Sequence, residues 1–207
     1  ATDGEKLTED QIDCYRRNLL NPRYPFRLQP TEVAAFLSHR SCWQAFLDTE
    51  MDAALIVEDD AELCETDFAA AFALSKAHIE QGDLIRFPLK LREKEKHIVA
   101  EGTQSRLMTT HSVGLGMVAY IITRDGARKL LASTKNFDRP VDTYLQLRWH
   151  HKLRILTVWP SGVSEISKDL GGSLIHARKG LKEKIHKEVL RPIYRTKLFV
   201  HRIFRTS

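Results

Sequence analysis

The stretch Ala53-Ala54-Leu55-Ile56-Val57-Glu58-Asp59-Asp60 decides the fold prediction, because a continuous apolar run ends abruptly in three carboxylates. A short apolar run with β-branched residues is typical of a strand buried on both faces of a parallel sheet. The spacing of apolar residues over 67–80 predicts a helix, and residues 84–87 predict the next strand. The order strand, helix, strand indicates an α/β fold with a mainly parallel sheet flanked by helices.

Patterns outside this unit predict further elements of the same kind. Thr31 is a suitable cap for a helix that runs to about Glu50. Residues 88–110 are polar and charged, which favours a surface excursion or an irregular hairpin. The remaining predictions are a strand over 118–122 with Thr123 as the cap of the next helix, a helix from Pro140 to about Trp149, and a strand over 153–159.

Composition excludes several classes of protein. Of the 207 residues, 43% are hydrophobic and 29% are charged, which argues against collagen-like, low-complexity and disordered chains. No apolar run reaches the roughly 18 residues of a membrane-spanning helix, and residues 1–6 do not resemble a signal peptide. The three cysteines, Cys14, Cys42 and Cys64, lack CxxC spacing. They suggest neither a disulfide framework nor a zinc site, and a reducing compartment fits best.

The charge is distributed unevenly along the chain. Residues 178–207 contain ten Lys or Arg and two Glu, a net charge of +8, which leaves −3 for residues 1–177 of a chain whose formal charge is +5. Apolar residues recur there at three- and four-residue spacing, so the tail is predicted to be a basic amphipathic helix, interrupted near Pro192. Such a helix can lie on an anionic membrane, or pack against the body or a partner. The acidic body argues against a nucleic-acid partner.

The acidic triplet has two interpretations. Carboxylates at the carboxyl end of a strand lie where open α/β sheets bind ligands, and Glu58 and Asp60 point to one side of the chain while Asp59 points to the other. A hard divalent cation that bridges a substrate diphosphate would relieve the repulsion between them. The alternative is a solvated acidic turn before the next helix.

Five segments, taken in order, resemble one enzyme family. They are Ala1-Thr2-Asp3-Gly4, Thr31-Glu32-Val33-Ala34 leading into Ser38-His39, Leu55 to Ala61, Ala119 to Ile122 with Gly126-Ala127 and Leu130-Leu131, and Arg139-Pro140-Val141-Asp142. On these segments the chain resembles glycosyltransferase family 25, which includes bacterial lipopolysaccharide galactosyltransferases and collagen-modifying enzymes.

The resemblance implies a fold, an activity and a cofactor. The expected fold is GT-A-like and Rossmann-related, and the expected reaction moves a hexose, usually galactose, from a UDP-sugar to a sugar hydroxyl of a lipopolysaccharide-type acceptor with inversion. Asp60 would coordinate Mn²⁺ or Mg²⁺ between the phosphates. Glu58 would join the metal shell, and Glu58 or Asp59 would contact the ribose.

The resemblance also implies roles for residues outside the triplet. Asp142 would be the base that takes the acceptor proton, although a carboxylate at a helix start can equally serve the helix dipole. Ser38 and His39 would face the nucleotide-sugar cleft, or His39 would be an ordinary core residue. Structural roles are favoured for the remaining candidates, which are His111, His176, Trp43, Trp149 and Trp159.

The ends of the chain carry the last expectations. Family members begin with a strand and helix before the Ala-x-Asp-Gly turn, whereas this chain opens at the turn, which predicts an exposed sheet edge and weakened UDP binding. A catalytically silent sugar- or membrane-binding protein is therefore the alternative function. We expect a catalytic domain over residues 1–177, a membrane-binding tail over 178–207, and a cytoplasmic location at the inner membrane.

Overall fold

A computed structural model describes residue 8 and residues 13–81, 83–165 and 181–205, and the account below concerns these residues. Their helices are α1 (Pro30–Leu47), α2 (Glu65–Ala77), α3 (Arg124–Ser133), α4 (Val141–Tyr144), α5 (Arg148–His151) and α6 (Leu181–Arg205), with a 3₁₀ turn at Ile79–Gln81. Their strands are β1 (Ala53–Val57), β2 (Ala61–Leu63), β3 (Leu84–Arg86), β4 (Glu95–Glu101), β5 (Arg106–Thr110), β6 (Ala119–Thr123), β7 (Ile155–Trp159) and β8 (Val163–Glu165).

Six of these strands form one mixed sheet in the order β1-β6-β3-β7-β5-β4, and β2 pairs with β8 separately. The α/β class and the flanking helices are confirmed. The prediction of a mainly parallel sheet is wrong, because β3 and β7 alone pair in parallel and the other neighbours in this sheet are antiparallel. Parallel neighbours need a long crossover, usually a helix. No helix lies between β3 and β6 in the described chain, where the β4–β5 hairpin reverses direction instead.

Strand β1 lies at an end of this sheet, which corrects the prediction that it is buried on both faces. Its described neighbour is β6 alone. Leu55 and Val57 are therefore 38% and 37% exposed on one face, while Ala54 and Ile56 pack against the core on the other. An apolar run of five residues cannot by itself distinguish a central strand from a half-covered edge strand.

Helix boundaries follow local capping, with two corrections. Helix α1 is capped by Gln29, whose backbone N–H donates to the Glu32 carboxylate at 2.7 Å, so Thr31 lies in the first turn and is not the cap. The Thr123 cap of α3 is confirmed, since its hydroxyl accepts from the Gly126 N–H at 3.2 Å. The single helix expected after Pro140 is instead two short helices, α4 and α5, separated at Leu147, which has non-helical backbone angles.

Successive residues of the central strands point to opposite faces of the sheet and supply two cores. Leu84, Tyr120 and Ile122 join α1 and α3 on one face, whereas Ile85 and Ile121 join α2 on the other. Trp43 and Phe36 of α1 are completely buried in the first core. The prediction that Trp43 is a core residue is thus confirmed.

Helix α6 contacts the body of the protein along one side. Tyr194 is buried, Leu198 packs against the first core, and the His201 ring lies 6.1 Å from that of Trp149. Several apolar side chains on another side stay exposed, namely Val189, Ile193, Val200, Ile203 and Phe204. Within the described chain, no helix combines the length and apolarity that crossing a membrane requires.

Candidate functional site

Four carboxylates collect where β1 ends. The Glu58 N–H donates to the Val118 carbonyl at 2.8 Å, which anchors the start of the turn through Asp59 and Asp60. Pairing of β2 with β8 places Glu165 opposite Ala61, next to this turn. Burial, followed by the charges of Glu58, Glu165 and Asp59, raises the pKa of Asp60. The sequence carried no motif around Glu165, because its position depends on a pairing between distant strands.

His39 of α1 connects the acidic turn to the buried core. Its Nε2 lies 3.5 Å from Glu58 Oε1, and its Nδ1 lies 3.0 Å from the Tyr120 hydroxyl. The indole N–H of Trp43 donates to the same hydroxyl at 2.8 Å. The structure therefore brings together His39 and Glu58, two residues that the sequence singled out separately.

The hydrogen bonds suit one tautomer of the His39 ring. Burial raises the pKa of Tyr120, so this phenol keeps its proton. The Tyr120 oxygen accepts from Trp43, and its proton can go to His39 Nδ1; in that tautomer the ring N–H is on Nε2, which faces the Glu58 carboxylate. The chain Trp43–Tyr120–His39 thus ends beside one oxygen of Glu58.

A cavity of about 410 Å³ adjoins the acidic turn, and we call it the strand-end cavity. Its lining includes Val118, which is the backbone partner of Glu58, together with Glu165, Lys90 and Arg92. A cavity lined by a carboxylate and by cations, next to further carboxylates, suits a ligand that combines a metal ion with phosphate groups. Neither Lys90 nor Arg92 was predicted, because the polar composition of 88–110 resembles any solvated loop.

The loop Gly114-Leu115-Gly116 is held in place by a buried ion pair. Arg86 and Glu93 are almost completely buried and lie 2.6 Å apart. Arg86 Nη2 also donates to the carbonyls of Leu115 and Gly116, at 3.2 and 3.0 Å. A Cβ on Gly114 would overlap the Glu93 carboxylate, so any other residue there would have to displace Glu93 from its pair with Arg86.

Asp142, the predicted base, touches this loop. Its Oδ2 accepts from the Gly116 N–H at 3.0 Å, and its Oδ1 accepts from the Thr143 N–H and, at 3.2 Å, from the Thr143 hydroxyl. Gly116 itself lines the strand-end cavity. Asp142 therefore contacts a cavity loop from the first turn of α4, and its role as a base stays a prediction.

The other predicted residues are distributed around this centre. Ser38 is half-buried on α1 and lines neither the strand-end cavity nor the second cavity described below. His111 and Trp149 line that second cavity, between the body and α6, where the sequence favoured structural roles. Residues 1–4 and His176 lie outside the described residues.

Comparison with known proteins gives a family match. The sequence model described as "Glycosyltransferase family 25 (LPS biosynthesis protein)" matches residues 1–145. This range contains α1, the acidic turn, both members of the Arg86–Glu93 pair and Asp142. It ends before Glu165 and α6.

Curated relatives of the chain include animal proteins. The chain is 26% identical to procollagen galactosyltransferase 2 of Homo sapiens, over 72% of this chain and 25% of that protein. It is 31% identical to a glycosyltransferase 25 family member of Drosophila melanogaster, over 71% of this chain and 25% of the relative. It is equally 31% identical to a human protein named inactive glycosyltransferase 25 family member 3, over 71% of this chain and 26% of the relative. The chain thus spans about a quarter of the length of the curated relatives it matches.

Proposed function

The chain belongs to glycosyltransferase family 25, and on this premise we propose that it transfers a hexose, galactose by family default, from a UDP-sugar to a sugar hydroxyl of a lipopolysaccharide-type acceptor. The observation that carries the proposal is the strand-end cavity. Glu165, Lys90 and Arg92 line it. The carboxylates of the acidic turn are not among its lining residues, but the turn adjoins it through Val118, the backbone partner of Glu58, and through Glu165, whose charge acts on Asp60. Such a cavity suits a nucleotide diphosphate held partly through a cation.

The cation that we propose is Mn²⁺ or Mg²⁺, because carboxylate oxygens are the ligands that these hard cations prefer. Burial and then the like charges of its neighbours raise the pKa of Asp60, and a divalent cation would remove this repulsion. Among the described residues, no group of three or more His, Cys, Asp or Glu side chains could hold a metal ion. Asp60 and Glu58 would therefore bind the ion together with water and substrate phosphate, an arrangement common for these cations. When bound, the ion supplies positive charge to the departing diphosphate.

The chain's own residues would perform the remaining steps. Lys90 and Arg92 bind the donor phosphates, and His39 orients Glu58. Asp142 takes the proton of the acceptor hydroxyl as the new bond to the anomeric carbon forms. The bond from that carbon to the diphosphate oxygen breaks, and its electron pair leaves with UDP.

Calorimetric titration with UDP and UDP-galactose, with and without Mn²⁺, tests the donor site. We expect metal-dependent binding that Asp60→Asn weakens by about tenfold or more, because the variant removes a charged ligand. Asp125→Asn, on the exposed surface of α3, is the matched control and should bind like the wild type. Binding that needs no metal and survives Asp60→Asn would identify the acidic turn as a solvated loop. No binding under any condition would favour the catalytically silent alternative.

For the location of the protein, we propose peripheral contact with an anionic inner-membrane surface through α6. Val189, Ile193, Val200 and Phe204 recur at four- and seven-residue intervals, so they share one side of the helix, and each is exposed. Helix α6 carries eight Lys or Arg and two Glu, and this charge complements acidic headgroups.

Vesicle co-sedimentation tests this contact. Val200→Asp should weaken binding to phosphatidylglycerol-containing vesicles by about tenfold or more, since an apolar side chain can no longer enter the interface. Met51→Asp changes an exposed apolar residue after α1 and should leave binding unchanged. Equal effects of the two variants, or equal binding to uncharged phosphatidylcholine vesicles, would contradict the proposal.

A further inference from the structure

A second cavity, of about 730 Å³, lies between α6 and the body of the protein, and we call it the cationic cavity. Helix α6 contributes Arg195 and Arg202 to its lining, α5 contributes Arg148, and the segment before β4 contributes Arg92 and Lys94. Five cationic side chains from three parts of the chain thus converge on one space.

Cationic side chains outnumber carboxylates among the lining residues of this cavity. Glu93 is the one carboxylate among the lining residues of this cavity, and it is buried 2.6 Å from Arg86, which neutralises it. Burial and the nearby charge of Arg202 lower the pKa of Arg148, as expected where cations are brought together. The cavity therefore favours an anion.

The rest of the wall suits the face of a sugar ring. Trp149, Leu198 and Phe199 line the same cavity, and aromatic side chains combine a broad apolar surface with polar edges. Arg92 and Leu115 also line the strand-end cavity. A ligand in the cationic cavity would thus lie beside the loop that Asp142 contacts through Gly116.

We propose that the cationic cavity binds a phosphate group carried by the sugar acceptor, and so places a hydroxyl of that acceptor towards Asp142. The inference rests on the transferase function proposed above and assigns the acceptor side of that site. The donor diphosphate is assigned to the strand-end cavity and the acceptor phosphate to the cationic cavity, and Arg92 lines both.

Calorimetry with galactose 6-phosphate and with galactose, at about 0.15 M ionic strength, tests the proposal on the full chain. We expect galactose 6-phosphate to bind at least about tenfold more tightly than galactose, and Arg195→Gln to weaken the binding of galactose 6-phosphate by about tenfold. Arg191→Gln makes the same charge change on the same helix outside the cavity lining, and should change binding less than twofold. Affinity for UDP with Mn²⁺ should be the same in Arg195→Gln as in the wild type.

Several results would overturn the assignment. Equal binding of the two sugars would show that phosphate is not recognised, and equal loss in the Arg191 and Arg195 variants would show a diffuse charge effect. Weaker UDP binding in Arg195→Gln would show that the cationic cavity binds the donor nucleotide. Loss of phosphatidylglycerol vesicle binding without loss of galactose 6-phosphate binding would identify a lipid headgroup as the ligand. If Asp60→Asn still impairs UDP binding in any of these cases, the proposed function stands and this inference alone fails.

Discussion

Replacing Arg139 by Met should lower the free energy of unfolding by about 3–5 kcal/mol, because it leaves a buried carboxylate without its cation. Arg139 and Asp138 are both 0% exposed, and Arg139 Nε donates to Asp138 Oδ1 at 2.7 Å. Methionine resembles the arginine stem in size, so the loss reflects charge and hydrogen bonds more than lost volume. Urea unfolding of the variant and the wild type measures the difference.

Arg139 also connects two distant parts of the chain to the body. Its Nη1 donates to the Tyr194 hydroxyl of α6 at 2.6 Å, and its Nη2 donates to the carbonyls of Leu20 and Pro22 at 3.2 and 3.0 Å. We therefore expect faster amide exchange in α6 of the Arg139→Met protein. Tyr194→Phe removes the hydroxyl alone and should lower stability by about 1–3 kcal/mol.

Arg128→Met is the control for this prediction, because Arg128 forms an exposed pair with Asp125 on α3. Such pairs contribute about 0–1 kcal/mol. A loss below about 1 kcal/mol in Arg139→Met, or unchanged exchange in α6, would show that the Arg139 cluster does not hold the helix.

Local elements of this fold were predictable because each depends on neighbours in sequence. The Thr123 cap of α3 is an example, because the Thr123 hydroxyl accepts from the N–H of Gly126 only three residues later in the chain. Strand order was not predictable, because no residue within β6 specifies that it lies between β1 and β3. The mixed character of the sheet was not predictable either, because the polar stretch over 88–110 hides strand β5. Nothing in that stretch indicates that Leu107 and Met108 of β5 are completely buried or that β5 pairs with β7 in the antiparallel direction.

The candidate site divides in the same way. The acidic turn was predictable because an apolar run ends in it, and the family resemblance pointed to His39. The cations that line the two cavities were not predictable, because no local sequence pattern separates Lys90, Arg92 and Arg195 from ordinary surface residues. They are distinguished only by the fold, which brings them to the two cavities.

The second large effect is expected for Glu93→Ala, which should lower the free energy of unfolding by about 3–5 kcal/mol because Arg86 is left buried without a counter-charge. Burial acts to raise the pKa of Glu93, but the charge and hydrogen bonds of Arg86 outweigh it, so the pKa of this carboxyl lies below its ordinary value of 4.5. A carboxyl with a lowered pKa stabilises the fold fully above its unfolded pKa, and this contribution is lost as the pH falls through the folded value. Stability of the wild type should therefore fall more steeply below about pH 4.5 than that of Glu93→Ala.

The double variant Arg86→Met/Glu93→Met separates this charge effect from a packing effect. If the unpaired cation causes the loss, the double variant should be more stable than Glu93→Ala, because neither buried charge remains. In the proposed transfer reaction the double variant should be a poor catalyst, since the carbonyls of Leu115 and Gly116 lose their donors from Arg86 and the loop beside Asp142 is released. Restored stability together with full activity would mean that the loop is held by something other than the ion pair. If the double variant is no more stable than Glu93→Ala, the loss of stability in Glu93→Ala comes from packing. The charges of Arg86 and Glu93 would then not be what stabilises this part of the fold.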